Sequence, residues 1–348
     1  MKKSILNIAL FLSFSFGALV QEGYAQDPTF SQFYNSPLYL NPALIGEEEF
    51  VYLNFAYRTQ WKSLENPYTT YQASMIIPYY KDKHRKPLGH LGGVGLSFYG
   101  DKAGVYDNYK SYGGNASFAY NVDFSNKNHN RLTFALQAGF IHKGVDKNNL
   151  TWGEQYNPFI GWDNTVVPGD LNQIENKTFL DITAGVFWRY YVKDENKTIQ
   201  SLYAGYSAGH LNHPNESVLI DETHRLPLLH KLHGGIIFSL GEKTYISANF
   251  LSLLQDKVNQ TNVGAFLSYK LPFNTKGQMS GLLTRIGAWH RVQDSFIASL
   301  EFMTNTFQVG FSYDWNVTSL RYNSRGAAAF EVTLGYRFYQ PAAPKIRY

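Results

Sequence analysis

A formal charge of +4 over 348 residues is too small a positive surplus to point to nucleic acid as a partner. The chain has no cysteine, which excludes disulfides, thiolate metal sites, a cysteine nucleophile and a lipid-bearing cysteine together. Aromatic residues make up 16%, with 26 Tyr and 25 Phe, and charged residues only 17% against about 25% in average chains, a balance that favours an exported, aromatic-girdled barrel over a soluble domain.

Residues 1–25 read as a signal peptide. Lys2 and Lys3 precede the apolar run Ile5–Val20, and Gly23-Tyr24-Ala25 supplies the small residues read at cleavage before Gln26. The run is short for a membrane helix, and no later run reaches the roughly 18 apolar residues one needs. The next stretch, Gln26–Gly46, cannot be a strand. Pro28, Pro37 and Pro42 each remove a backbone donor, and Asn35, Asn41 and Gly46 add turn chemistry. Yet it carries Phe30, Phe33, Tyr34, Leu38, Tyr39, Leu40 and Leu44. Apolar groups on an irregular backbone must be buried against something else. Residues 26–49 are therefore expected to form an N-terminal arm: packed on a domain in the ordinary way, or a plug in or under a barrel. The plug contacts would be Phe30, Phe33, Tyr34, Leu40, Asn41 and Pro42.

From Phe50 to Tyr339 the chain alternates with period two. Along 178–193, Leu180, Ile182, Ala184, Val186, Trp188 and Tyr190 share one face, and Asp181, Thr183, Gly185, Phe187, Arg189 and Tyr191 the other. The runs 306–316 and 327–339 repeat the pattern. Fourteen such runs are expected, an even number as in bacterial single-chain barrels. They fall at 50–60, 68–79, 91–101, 109–124, 130–144, 178–193, 199–209, 230–240, 244–254, 260–271, 279–291, 295–304, 306–316 and 327–339. A soluble sandwich also alternates. The length of the runs and a polar face rich in Gly, Ser and long charges decide for a transmembrane barrel, all-β, spanning 50–339. With the N-terminus in the periplasm, the long connections 145–177, 210–229 and 317–326 face outward and most short polar turns face inward. The segment 80–90 would be a long basic periplasmic turn, and 340–348 a periplasmic tail.

The candidate chemistry is sparse. His210, His213, His230 and His233 flank one outward loop, without the fixed spacing that a zinc site on a helix has. Asp163, Asp170, Asp221 and Glu222 lack the alternate-residue pattern of a common calcium loop. His142 has no G-x-S-x-G elbow to serve. No cofactor, metal or catalytic residue is assigned, and the chain is not read as an enzyme. The inward charges Arg58, Arg131, Arg189, Arg285, Arg337, Asp123, Asp181, Glu301 and Glu331 are of mixed sign. That mixture suits a salt-bridged, closed lumen better than a single-sign pore, although a water-filled porin would solvate the same groups. The long outward loops carry apolar anchors, and a partner site is expected there on Trp152, Tyr156, Phe159 and Trp162, with His210, Asn212 and Pro214 beside them.

Several motifs carry a resemblance: Gln26–Tyr34 (QDPTFSQFY) followed by Pro37–Ala43 (PLYLNPA), Tyr57–Trp61 (YRTQW), Gly92–Gly104 (GGVGLSFYGDKAG), Gln137–Gly144 (QAGFIHKG), Leu150–Gly153 (LTWG), His210–Leu219 (HLNHPNESVL), Leu226–Gly235 (LPLLHKLHGG), Ser312–Asn316 (SYDWN) and Phe330–Phe338 (FEVTLGYRF). In this order they resemble the PorP/SprF family of Bacteroidetes outer-membrane proteins, associated with type IX secretion and gliding motility. The resemblance implies an integral outer-membrane barrel that docks and anchors a secreted protein, such as an adhesin, through its C-terminal sorting domain. It also implies links to periplasmic, peptidoglycan-bound secretion or motility components. A diffusion porin and an outer-membrane lipid hydrolase are the competing readings.

Overall fold

The computed structural model describes residues 29–61, 67–80, 90–104, 107–124, 130–147, 150–192, 198–275, 278–318 and 327–338. The expected signal peptide, Gln26–Pro28, the basic turn 81–89, most of 317–326 and the tail 340–348 lie outside the described residues. Fourteen antiparallel strands close one barrel. They are β1 (Tyr52–Gln60), β2 (Tyr68–Tyr80), β3 (His90–Ala103), β4 (Tyr109–Asp123), β5 (Asn130–Val145), β6 (Lys177–Tyr191) and β7 (Ile199–Gly209), then β8 (Leu229–Ser239), β9 (Thr244–Gln255), β10 (Val258–Thr275), β11 (Gln278–Arg291), β12 (Ser295–Met303), β13 (Phe307–Asn316) and β14 (Ala327–Arg337). Each pairs with its chain neighbours, and β1 closes on β14 from Tyr52↔Arg337 to Gln60↔Ala329.

The strand count agrees with the alternation; the ends differ. β1 starts at Tyr52 rather than residue 50, and β10 covers 258–275 rather than 260–271. The apolar pattern stops at the edge of the membrane, whereas the hydrogen-bonded ladder continues wherever the neighbouring strand still offers partners.

The barrel is inside out relative to a water-soluble fold. Along β1, Tyr52, Asn54, Ala56 and Arg58 are buried in the bore, while Leu53, Phe55 and Tyr57 are exposed outside. Along β13, Gln308, Ser312 and Asp314 are buried, and Phe307, Phe311 and Trp315 are exposed. An apolar outer wall of this extent is unlike the patch a soluble monomer tolerates, and it matches a hydrocarbon surround. Exposed aromatics sit near both strand ends: Tyr79, Phe124, Phe307 and Phe338 at one, Tyr57, Tyr68, Phe296 and Trp315 at the other.

The two rims differ. One carries the long connections after β5 and β7; the other carries the turns 240–243 and 304–306. We call the first the outward rim. The strand count is even, so a tag after Tyr348 should stay protected on intact cells while one inserted at 156–165 is labelled. Surface labelling of the C-terminal tag would reverse this orientation.

Candidate functional site

Residues 29–50 pack against bore-facing side chains of the strands. The local backbone of this segment follows the prolines. A 3-10 turn at Phe33–Asn35 leads into one helical turn at Pro37–Leu40, and a second 3-10 segment runs from Pro42 to Glu47. Pro37 and Pro42 stand at first helical positions, where the missing N–H is not needed. Asn41 caps the second segment by accepting from the Ala43 N–H at 2.9 Å.

The segment descends from near the outward rim to the inner rim. At its upper end the Glu331 carboxylate accepts from the backbone N–H of Ser31 (2.7 Å) and of Gln32 (3.0 Å). The Ser31 hydroxyl donates to Asp314 at 2.7 Å, and Arg58 donates to the same hydroxyl. Asp314 also takes Arg58 at 3.2 Å and Arg291 at 3.3 Å. Arg58, Asp314 and Glu331 are almost wholly buried, so the charges are satisfied by one another and by the segment's backbone. Midway, Asn35 donates to Glu301 (2.9 Å) and Thr333 (3.0 Å), and Asn41 donates to the carbonyl of Val186 at 3.0 Å. At the lower end the Gly46 carbonyl accepts from Arg131 at 3.1 Å and His90 at 2.9 Å. Glu47 pairs with Arg189 at 2.7 Å and Glu48 with Arg337 at 3.1 Å.

Apolar groups fill the remainder. Leu38, Ala43 and Ile45 pack with Tyr52, Ile76, Ala119, Ala135 and Phe187. Phe33 and Leu40 pack with Leu251, Phe266, Trp289 and Ile297. Tyr34 stacks on Trp289 with ring centroids 5.3 Å apart. Small wall residues make room: a Cβ on Gly95 would lie 2.7 Å from Leu38 Cδ1, and one on Gly185 would collide with the Asn41 amide. Of the segment's six expected contacts, Phe30, Phe33, Leu40, Asn41 and Pro42 are buried and Tyr34 is half-buried.

The expected inward charges all lie on the bore side or its rims; Asp181 meets the His210 imidazole, and each of the others finds an opposite charge. Arg285 pairs with Glu301 at 2.9 Å, Arg131 with Asp123 at 2.8 Å, and Asp181 with His210 at 2.7 Å. Arg291 and Asp314 complete the upper network, beyond the nine inward charges expected from the sequence. Their polar register, with Asp314 alternating against Tyr313 and Trp315, was the signal available.

At the outward rim the two long connections are sewn together. β7 stops pairing with β6 at Ala184↔Ala208, and the chain after Gly209 takes over that edge. Leu211 N–H donates to the Ile182 carbonyl at 2.9 Å. The Asn212 side chain accepts from Ile182 N–H (3.2 Å) and donates to the Leu180 carbonyl (2.7 Å). Further out, Glu175 N–H meets the Val218 carbonyl and Ile220 N–H meets the Gln173 carbonyl, both at 2.8 Å. Lys143 pairs with Glu216, which also meets His224 at 3.0 Å.

This architecture divides the expected partner residues into two groups. His210 is buried, with its left-handed φ of 59° held by the bond to Asp181. Pro214 is buried, and Asn212 is committed to the β6 edge. These three support the loop. Tyr156, Phe159 and Trp162 stand on a short hairpin in which Tyr156↔Trp162 pair, and all three are exposed, Phe159 by 94%. Trp152 lies half-buried at its base. The hairpin is braced by Gln155, whose amide reaches the Val166 carbonyl at 3.1 Å. Beside it Asp163 accepts from the Thr165 hydroxyl and N–H, which holds its carboxyl below the ordinary carboxylate range.

The four histidines do not converge. His210 faces Asp181, His213 reaches the Leu226 carbonyl, His230 stacks on Tyr206 outside, and His233 stacks on Phe187 inside. Among the described residues no set of three His, Asp or Glu groups is placed to hold a metal.

Residues 22–336 match the sequence profile of a family described as "Type IX secretion system membrane protein PorP/SprF". No curated protein sequence matches the chain. Solved structures with a similar trace include the TodX deltaS2S3 mutant monoaromatic hydrocarbon channel, at 9% identity and TM-score 0.45, covering 86% of this chain and 92% of that one. BamA from Haemophilus ducreyi lacking POTRA domains 1–3 matches at 10% and 0.39, covering 83% and 70%, and the KdgM porin at 12% and 0.33, covering 83% and 100%. Likenesses this distant carry no statement about what this chain binds.

Proposed function

The chain belongs to the PorP/SprF family of type IX secretion system membrane proteins, a β-barrel of the outer membrane, and from that premise we propose that it is a closed docking barrel. Family and fold point to a non-enzymatic secretion component. In this reading residues 29–50 act as a built-in plug, and the outward loops hold a secreted protein, for example an adhesin through its C-terminal sorting domain. The inner rim would face periplasmic, peptidoglycan-linked components of the same system.

The observation that supports docking most directly is the exposed aromatic hairpin on a braced base. Tyr156, Phe159 and Trp162 offer large apolar area, and two rings hold each other at 5.4 Å between centroids. Trp and Tyr are enriched among residues that dominate binding energy, and a preorganised loop loses little entropy on binding. Phe159→Ala and Trp162→Ala should each weaken the secreted partner's hold by about 2 kcal/mol, roughly 30-fold in Kd. Trp152→Ala should do so less directly, through the hairpin's base. Barrel assembly, read by heat-dependent gel mobility, should be unchanged. Full retention of the partner at the surface of cells carrying the folded triple variant would move the site to the inner rim.

A further inference from the structure

A recess opens toward the outward rim, away from the aromatic hairpin. It lies between the bore segment and the outer halves of β8, β9 and β10. Its walls are apolar: Phe30 and Leu40 from the segment, with Leu229, Leu251, Leu253 and Val258 from the barrel. Lumen-facing positions of a barrel are ordinarily polar, so a wall of leucines here is not explained by solvation. The rim above is low, because β9 and β10 are joined by only Asp256 and Lys257.

Three polar atoms at this recess lack a hydrogen-bond partner. They are Nε2 of Gln255, Nε2 of Gln260 and the Ser36 hydroxyl. Gln255 is only 8% exposed and Ser36 only 1%. Leaving a buried donor unsatisfied is costly, and native proteins rarely do so without reason. The nearby Lys231 is committed to the Tyr39 carbonyl at 2.6 Å and to its ring. The recess thus offers neutral amide donors beside an apolar wall, and so suits neutral acceptors.

Size narrows the occupant. The free volume is about 50 Å³, whereas an engineered cavity that takes up benzene is about 150 Å³. A long acyl chain does not fit, and neither does an enclosed aromatic ring. The end of one aliphatic side chain does. A polypeptide presents that group flanked by carbonyl oxygens, the acceptors that two primary amides at the rim would meet.

We propose that this recess is a subsite for an extended peptide, taking one Leu, Ile or Val side chain against Leu251 and Leu253. Gln255 and Gln260 donate to the peptide's flanking carbonyls. The inference rests on the docking reading for the source of the peptide, a secreted polypeptide arriving at the outward face. The binding itself is separable from that reading.

The test uses the full barrel in detergent micelles with acetyl-glycyl-leucyl-glycinamide as probe, read by saturation-transfer NMR. Transfer to the leucine methyl groups is expected, absent for the all-glycine peptide and undiminished by excess dodecanoate. Val258→Trp should abolish it by filling the recess. Gln255→Leu should weaken it by up to about 10-fold, as loss of one hydrogen bond predicts. Assembly of each variant is checked by heat-dependent mobility, and Leu253→Phe replaces Val258→Trp if the latter does not fold. No transfer in the unaltered barrel overturns the proposal. Equal transfer after filling shows partition into the micelle only, and displacement by dodecanoate shows a lipid-type site; either result also overturns it. No peptide transfer in the unaltered barrel, with hairpin-dependent docking intact, would reject this inference alone.

Discussion

A barrel lacking residues 30–44 should conduct ions in a planar bilayer where the full chain is nearly silent. The segment's contacts reach around most of the wall, from Glu331 on β14 through Glu301 on β12 to Val186 on β6 and Gly95 on β3. Its buried apolar side chains, Phe30, Phe33, Leu38, Leu40 and Ile45, are each worth about 1.5–3 kcal/mol by area, so spontaneous release should be rare. Removal would expose a wall lined by Arg58, Arg131, Glu301 and Glu331, groups that water solvates readily. Two outcomes fit the filled bore: an open, conducting barrel, or failure to assemble because those charges lose their partners. A deletion variant that folds, stays silent and still supports secretion would show that the segment does not close the bore.

Asp314→Ala should destabilise the folded barrel by about 3–5 kcal/mol, the usual cost of breaking a buried ion pair from one side. Asp314 accepts from Arg58, Arg291 and the Ser31 hydroxyl and is fully buried. Its loss leaves two guanidinium groups sharing the Glu331 carboxylate and the more exposed Asp294. Asp314→Asn keeps shape and part of the hydrogen bonding and should cost less. Arg58→Met combined with Asp314→Leu removes charge of both signs and should recover part of the loss, since apolar replacement of a buried pair is often tolerated. The midpoint of urea-driven loss of the folded, heat-resistant form reads all three. Equal midpoints for Asp314→Ala and the parent chain would mean that water reaches this network freely. Proteolysis should find the upper end of the bore segment more accessible in Asp314→Ala, because Ser31 loses its acceptor.

The barrel was legible in the residues because a strand's side chains alternate with period two and each face meets a different medium. Leu180 against Asp181 and Tyr313 against Asp314 state locally which side meets lipid and which the bore. Fourteen strands, their faces and the rim with long loops follow from that rule alone. The strand ends did not, since the ladder past the apolar band depends on the neighbour: β10 continues to Thr275 because β11 pairs with it there.

For residues 29–50 the prolines and aromatics state that the stretch is irregular and must be covered, and no more. Its course down the bore, with Ser31 beside Asp314 and Glu47 beside Arg189, is fixed by contacts that span up to 301 residues of chain. An irregular backbone has no period from which such partners can be read. The same limit holds at the outward rim. His210, Asn212 and Pro214 look like presented loop residues in sequence, and only the early end of β7 turns them into the edge that completes β6. The leucine-walled recess is the plainest case: Leu229, Leu251, Leu253 and Val258 obey the alternation as inward residues, and only closure of the barrel around Phe30 and Leu40 makes them one surface.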